Sequence, residues 1–285
     1  MAPALAASNS GMGVAHNLAV KNAHNARPSK GSNLYYHGGS VETAPAVYVV
    51  YWGWNGSDPS GERAYYDNFL NHVGGSSWLN SVTQYCQGVA SGTVHCGSAG
   101  QHAGNPAGVF KGEWLDSTNA IPSNPSQSAL AAEAVRAAAY FGNTTAGANA
   151  NAQYVIATPH GNSSSGFGTQ YCAWHSSTSS SYGNVAFTNL PYITDAGANC
   201  GANSVNAGPA GLLDGVSIVG GHEFGETVTD QYPSSGWLDS RGAENGDKCA
   251  WVGLANVSLN GASFPVQPLW SNAANGGSGG CVLSS

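Results

Sequence analysis

Apolar residues fill positions 44–54, "APAVYVVYWGW", without the alternation expected of a strand that has one wet face. A β-branched and aromatic run of this kind predicts a strand covered on both sides. In the next segment, "DPSGERAYYDNFLNHVGG", Ala64, Phe69, Leu70 and Val73 fall near the helical repeat and glycines close the pattern, so a helix is predicted over 60–73. "NPSQSALAAEAVRAAAYFG", residues 124–142, predicts a second helix, with Ser126 or Ser128 to cap it, strong helix formers inside and Gly142 to end it. "AQYVIATPHG" then reads as a further core strand. Strands alternating with helices imply an α/β fold, a mixed sheet with flanking helices.

Other stretches are less regular. Residues 162–213 are rich in Ser, Gly, Asn and aromatic residues, and are expected to form loops and small strands pinned by Cys172 and Cys200. The apolar run in "GLLDGVSIVGGHEFGETVTD" predicts a helix near 216–229, and "ASFPVQPLWS" a late strand. Residues 1–33 carry no apolar period and read as a flexible N-terminal segment or propeptide remnant, ahead of a single α/β domain over 34–285. No internal repeat is evident.

Composition narrows the function classes. Charged residues make up only 8% of the 285, with 8 Lys and Arg against 15 Asp and Glu, so there is no basic stripe to neutralise phosphates and nucleic acid is not an expected partner. No apolar run is long enough for a membrane span. Six cysteines without CxxC spacing suggest disulfides, and pairing of sequence neighbours gives Cys86–Cys96, Cys172–Cys200 and Cys249–Cys281. Together with sequons at Asn55, Asn143, Asn162 and Asn256, they point to a secreted chain, expected to be a monomer.

The chemistry concentrates in "GGHEFGETVTD", residues 220–230. On a helix, His222, Glu226 and Asp230 share one face and Glu223 lies about 100° round from His222. In a HExxH helix two histidines at i and i+4 bind zinc and the adjacent Glu is the general base; here Glu226 replaces the second histidine, and a carboxylate is an acceptable zinc ligand. The simpler reading is an acidic helix start, with Gly221 marking a late beginning. With nine His and seven Glu in the chain, chance His-Glu-x-x-Glu matches number roughly 0.005 under random order. Six of the fifteen carboxylates also fall between His222 and Asp247, which favours a metal.

A third ligand is needed. Asp247 in "GAENGDKC" is favoured because a bonded Cys249 would fix its loop, whereas Asp230 lies about 12 Å along the helix from His222 by the helical rise. His160 and His175 are further candidates, and His175 is also a candidate oxyanion donor. Trp52, Trp54, Trp174 and Trp237 could instead build a sugar-stacking platform. No G-x-S-x-G turn, P-loop or dinucleotide fingerprint occurs.

These segments, taken in order from "YYHGGSVETAPAVYVVYWGW" through "YYDNFL", "YCAWHSS" and "GPAGLLDGVSIVGGHEFGETVTD" to "GAENGDKCAW", resemble the exordium, or phosphate-induced, proteins and their secreted microbial relatives over about residues 34–284. The resemblance implies an extracellular, disulfide-stabilised α/β protein. The plant branch has lost the acidic motif, whereas the microbial relatives look like metallopeptidases with a HExxE helix. His222, Glu223, Glu226 and Asp247 are all present here, which places the chain on the metal-competent side and favours Asp247 over Asp230. The expectation is thus a secreted zinc endopeptidase with a zincin-like active-site helix. His222, Glu226 and Asp247 would hold Zn²⁺, with Ca²⁺ an additional or alternative ion; Glu223 and His175 would act on a polypeptide substrate. The rival expectation is a non-catalytic, glycan-binding wall protein of exordium type.

Overall fold

The computed structural model describes residues 12–21 and 33–285. Its centre is a six-stranded mixed sheet of β1 (His16–Ala19), β2 (Ala46–Trp52), β3 (Phe110–Asp116), β4 (Ala152–Ala157), β5 (Tyr171–Ser180) and β6 (Gly183–Leu190), in the spatial order β1-β5-β6-β4-β2-β3. β3, β2, β4 and β6 are parallel neighbours, while β5 runs antiparallel to both β6 and β1.

The apolar run of β2 is explained by cover on both faces. Val47, Val49 and Tyr51 face a core shared with helices α1 (Glu62–Val73) and α3 (Asp214–Thr229), and Val50 and Trp52 face a second core under α2 (Gln127–Tyr140). Both helices read from the sequence form. α1 starts where the Asp58 carboxylate accepts from Glu62 N and Arg63 N at 2.9 and 3.1 Å, and α2 where Ser126 Oγ accepts from Ala129 N at 3.2 Å. The three disulfides join the sequence neighbours, Cys86–Cys96, Cys172–Cys200 and Cys249–Cys281. No helix among the described residues is long and apolar enough to cross a membrane.

Two expectations need correction. Residues 171–190 are not loops and small strands but a hairpin of two long strands, turning at Ser181 and Tyr182. Its alternating positions are polar, and Ser176, Thr178, Thr188 and Asn189 are buried between layers, so apolar periodicity could not reveal it. Residues 16–19, within the segment read as a flexible arm, form β1, which buries Leu18 completely; residues 1–11 and 22–32 of that segment lie outside the described residues.

α3 begins at Asp214, not after Gly221, and every one of its residues is buried. It packs against α1, β5 and the hairpin of β7 (Ala255–Leu259) and β8 (Ala262–Val266). Its glycines make this approach possible. A Cβ on Gly220 would sit 2.4 Å from the Tyr66 ring, and one on Gly225 would sit 2.9 Å from Leu269 Cδ1. In an open helix Gly→Ala gains about 1 kcal/mol, but here the methyl overpacks rings and side chains that cannot retreat. Gly220→Ala is therefore expected to lower stability by a net ~1–3 kcal/mol in denaturant unfolding; a more stable variant would contradict this packing.

Away from α3, Glu62 is buried and accepts from Ile193 N and Thr194 N at 3.0 and 2.7 Å. Burial outweighs these hydrogen bonds and raises its pKa from 4.5 to about 7. The fold thus prefers neutral Glu62, so the contribution is fully present below about pH 4.5 and is lost as pH rises through about 7. Glu62 alone would make the protein about 3 kcal/mol more stable at pH 4 than above pH 7. Thermal unfolding across that window is expected to show a shallower pH dependence for Glu62→Gln than for the wild-type chain. Equal slopes would remove Glu62 from the account.

Candidate metal centre

α3 presents His222, Glu223 and Glu226 toward the sheet on the β5 side, where His175 projects from β5. The loop carrying Glu244 and Asp247 closes the other side. It is fastened from several directions: Asn245 Nδ2 donates to Gly225 O and Thr229 Oγ1, both at 2.9 Å, Gln267 Nε2 donates to Gly246 O at 2.9 Å, and Cys249 is bonded to Cys281. Gly246 lets this loop approach, since a Cβ there would lie 2.8 Å from His222 Nδ1 and 2.9 Å from Glu226 Oε1.

The result is a continuous cluster. His222 Nε2 lies 3.0 Å from Glu226 Oε1 and 3.8 Å from Asp247 Oδ1; His175 Nε2 lies 3.5 Å from Glu226 Oε2 and 2.9 Å from Glu244 Oε2; His16 Nδ1 of β1 lies 2.8 Å from that same Glu244 oxygen. The Asp247 backbone N–H donates to Glu226 Oε1 at 2.8 Å. Three overlapping sets each bring one donor atom per residue within 4.8 Å of the others: His222 with Glu226 and Asp247, His175 with Glu223 and Glu226, and His16 with Glu244 and Asp247.

Charge is poorly satisfied in this cluster. His222 Nδ1, His175 Nδ1, both oxygens of Glu223, Glu226 Oε2 and Glu244 Oε1 are buried without a hydrogen-bond partner, and His222 Nε2 has only its ion-pair contacts with Glu226 and Asp247. Such groups are costly unless something neutralises them. Burial opposes a charged His222, but the carboxylates of Glu226, Glu223 and Asp247 outweigh it and raise its pKa to about 10. Burial likewise raises Glu223 to about 8 and Asp247 to about 7, Asp247 with help from the Glu226 charge, while His222 and His175 overcome burial to hold Glu226 below the usual carboxylate range. Four carboxylates around three imidazoles form a pocket of negative charge that protons on the histidines can neutralise and that a divalent cation could neutralise in their place.

The distances allow such an ion. Donors bound at 2.0–2.2 Å in a tetrahedron lie about 3.4 Å apart, and the 3.0 and 3.8 Å separations from His222 Nε2 bracket that value. His222, Glu226 and Asp247 could therefore hold a metal with little movement.

Of the other candidate ligands, Asp230 and His160 are not brought to this place. The Asp230 carboxylate, past the end of α3, accepts from Ser234 N, Ser235 N and Gly236 N at 2.8, 3.1 and 2.6 Å and so shapes a turn. His160 is exposed and pairs with Asp195 at 2.5 Å. His175 belongs to the cluster. Sequence reasoning missed two members, Glu244 and His16. Glu244 is in the acidic run but carries no motif, whereas His16 stands in "VAHNLAVK", whose alternation of Val14, His16, Leu18 and Val20 is itself a short strand signal.

The proposed sugar platform is not formed. Trp52, Trp54, Trp174 and Trp237 are all buried, and the indole N–H groups of Trp52, Trp54 and Trp237 donate to the carbonyls of Asn119, Ala157 and Cys86. Comparison with protein families, with curated proteins and with solved structures finds no match to this chain.

Proposed function

We propose that the chain is a secreted zinc-dependent endopeptidase of the HExxE type, in the metal-competent branch of the exordium-like proteins. One observation carries this reading: Glu223, on the same helix as His222 and Glu226 and 1% exposed, has both carboxylate oxygens unpartnered beside the three-donor cluster. A structural glutamate at such a depth would be expected to hold a hydrogen-bond partner. A general base waiting for water and substrate would not.

His222, Glu226 and Asp247 would hold the metal. Zinc, when bound, supplies a Lewis acid that polarises the scissile carbonyl and brings the pKa of water to about 7. Glu223, whose carboxyl a cation beside it would keep ionised, would accept the proton of the attacking water and return it to the departing amine. His175, fully buried and with Nδ1 free of a hydrogen bond, is the donor assigned to the developing oxyanion, and its Nε2 holds Glu226 and Glu244 in position. A histidine among the ligands favours zinc over Ca²⁺, which takes six to eight oxygens. Three disulfides and the scarcity of charge are compatible with an extracellular setting.

The test is incubation with an unfolded polypeptide substrate. Cleavage is expected with the zinc-loaded chain, lost on chelation and recovered on adding zinc back. No cleavage in any metal condition would remove the proposal and leave the glycan-binding alternative, which the buried tryptophans do not favour.

A further inference from the structure

The cluster is nearly closed to solvent. His175, His222, Glu226 and Glu244 side chains are at 0% exposure, and among the described members of the cluster His16, at 15%, and Asp247, at 27%, keep some exposure. A polypeptide could not reach Glu223 unless some element moved.

β1 covers the cluster on the sheet side, and its attachment is of a particular kind. It pairs antiparallel with β5, with His16 opposite His175 and Leu18 opposite Ala173. Leu18 and Val20 are buried, Asn17 is exposed, and His16 faces the cluster, so alternate side chains drop toward α3. Its backbone is gripped by groups that read no side chain. Gln127 Nε2 and Ser176 Oγ donate to Gly13 O at 2.9 and 3.1 Å, Trp251 Nε1 donates to Ala19 O at 2.8 Å, Gly13 N donates to Ser177 O at 2.7 Å and Val20 N to Gln170 O at 3.3 Å. Main-chain recognition with pockets for alternate side chains is how a sheet edge takes up an extended peptide. Without β1, β5 would be that edge, and it runs past His175 at the cluster.

We propose that the edge of β5 from Gln170 to Ser177 is the substrate-binding edge of the candidate metal centre, that it takes extended polypeptide by strand addition, and that β1 of this chain occupies it as a tethered ligand with His16 seated on Glu244. The biological meaning rests on the peptidase reading, but the binding event does not. The seat prefers a hydrogen-bonding side chain at the His16 position and apolar residues two and four positions further on, where Leu18 and Val20 are buried. His16 Nε2 also bonds Ser234 Oγ at 3.0 Å, which ties the seat to the turn that follows α3.

A fluorescein-labelled peptide copying residues 12–21 is titrated against the full chain, wild type and Leu18→Asp, with anisotropy as the readout and the peptide checked to be intact by mass spectrometry. The Asp variant places a carboxylate in a fully buried apolar position and undocks β1, so it should bind the peptide saturably while the wild type binds it at least about tenfold more weakly. A peptide carrying His16→Ala should also bind the variant about tenfold more weakly. A folded variant that does not bind, or a peptide indifferent to His16, overturns the proposal.

Hydrogen exchange on the wild type serves if Leu18→Asp does not fold. Amides of residues 13–20 should exchange about 100-fold faster than those of β4, because a tethered ligand opens locally. Protection equal to that of β4 would make β1 an ordinary strand of the core and overturn the proposal. Loss of cleavage with binding intact would fault the peptidase reading alone, and loss of binding would fault the strand alone.

Discussion

Replacing Glu223 by Gln is expected to lower kcat for peptide hydrolysis by about 10²–10⁴-fold while the fold and the metal remain. The amide has nearly the shape of the carboxyl but cannot accept a proton from water. Neither oxygen of Glu223 has a hydrogen-bond partner, so the substitution breaks no contact. Burial and the neighbouring Glu226 charge raise this carboxyl to about 8, so the metal-free fold already holds it mostly neutral at pH 7, and the neutral amide should leave stability unchanged or slightly higher. That combination, an inactive chain of undiminished stability, separates a base from a structural residue. Full activity in a folded Glu223→Gln would take Glu223 out of the mechanism.

His222→Ala is expected to have the largest effect on stability. His222 and Glu226 are both fully buried and 3.0 Å apart, one helical turn from each other. Removing the imidazole leaves the Glu226 carboxylate with His175 at 3.5 Å and the Asp247 backbone N–H as its neighbours. Breaking a buried pair from one side costs about 3–5 kcal/mol, and the space left by the ring adds to it. Zinc should raise the midpoint of unfolding for the wild type, since a ligand of the folded state stabilises by mass action, and should not do so for the variant. A variant as stable as the wild type, or one equally stabilised by zinc, would mean that His222 is not the anchor.

What the sequence disclosed depended on which signal each element carries. α1 and α2 have an apolar repeat and a glycine stop, α2 also a serine cap, and both formed close to the bounds read for them. β2 is apolar on both faces and β4 is so apart from Gln153, which only a covered strand requires. The motif on α3 was legible because histidine and glutamate at that spacing are rare in a chain this poor in charge, and the choice of Asp247 over Asp230 followed from helical rise and a fixed loop. The β5–β6 hairpin was hidden because its buried positions are Ser, Thr and Asn, the polar lining beside a charged cluster, and periodicity methods read polar as exposed. The start of α3 was hidden because Gly220 and Gly221 look like a boundary and are in fact where Tyr66, Phe69 and Trp78 press on the helix. His16 and Glu244 reach the site through long-range pairing with β5, which no local pattern encodes.

The central claim is that His222, Glu226 and Asp247 hold one metal ion. Its most direct test is the metal content of the purified protein by mass spectrometry, wild type beside His222→Ala, after equilibration with zinc and removal of the excess. About one zinc per wild-type chain, absent from the variant, is the result expected of a three-ligand site. No tightly held metal in the wild type, or the same amount in both proteins, would contradict it and leave the cluster as a set of buried carboxylates neutralised by protonated histidines.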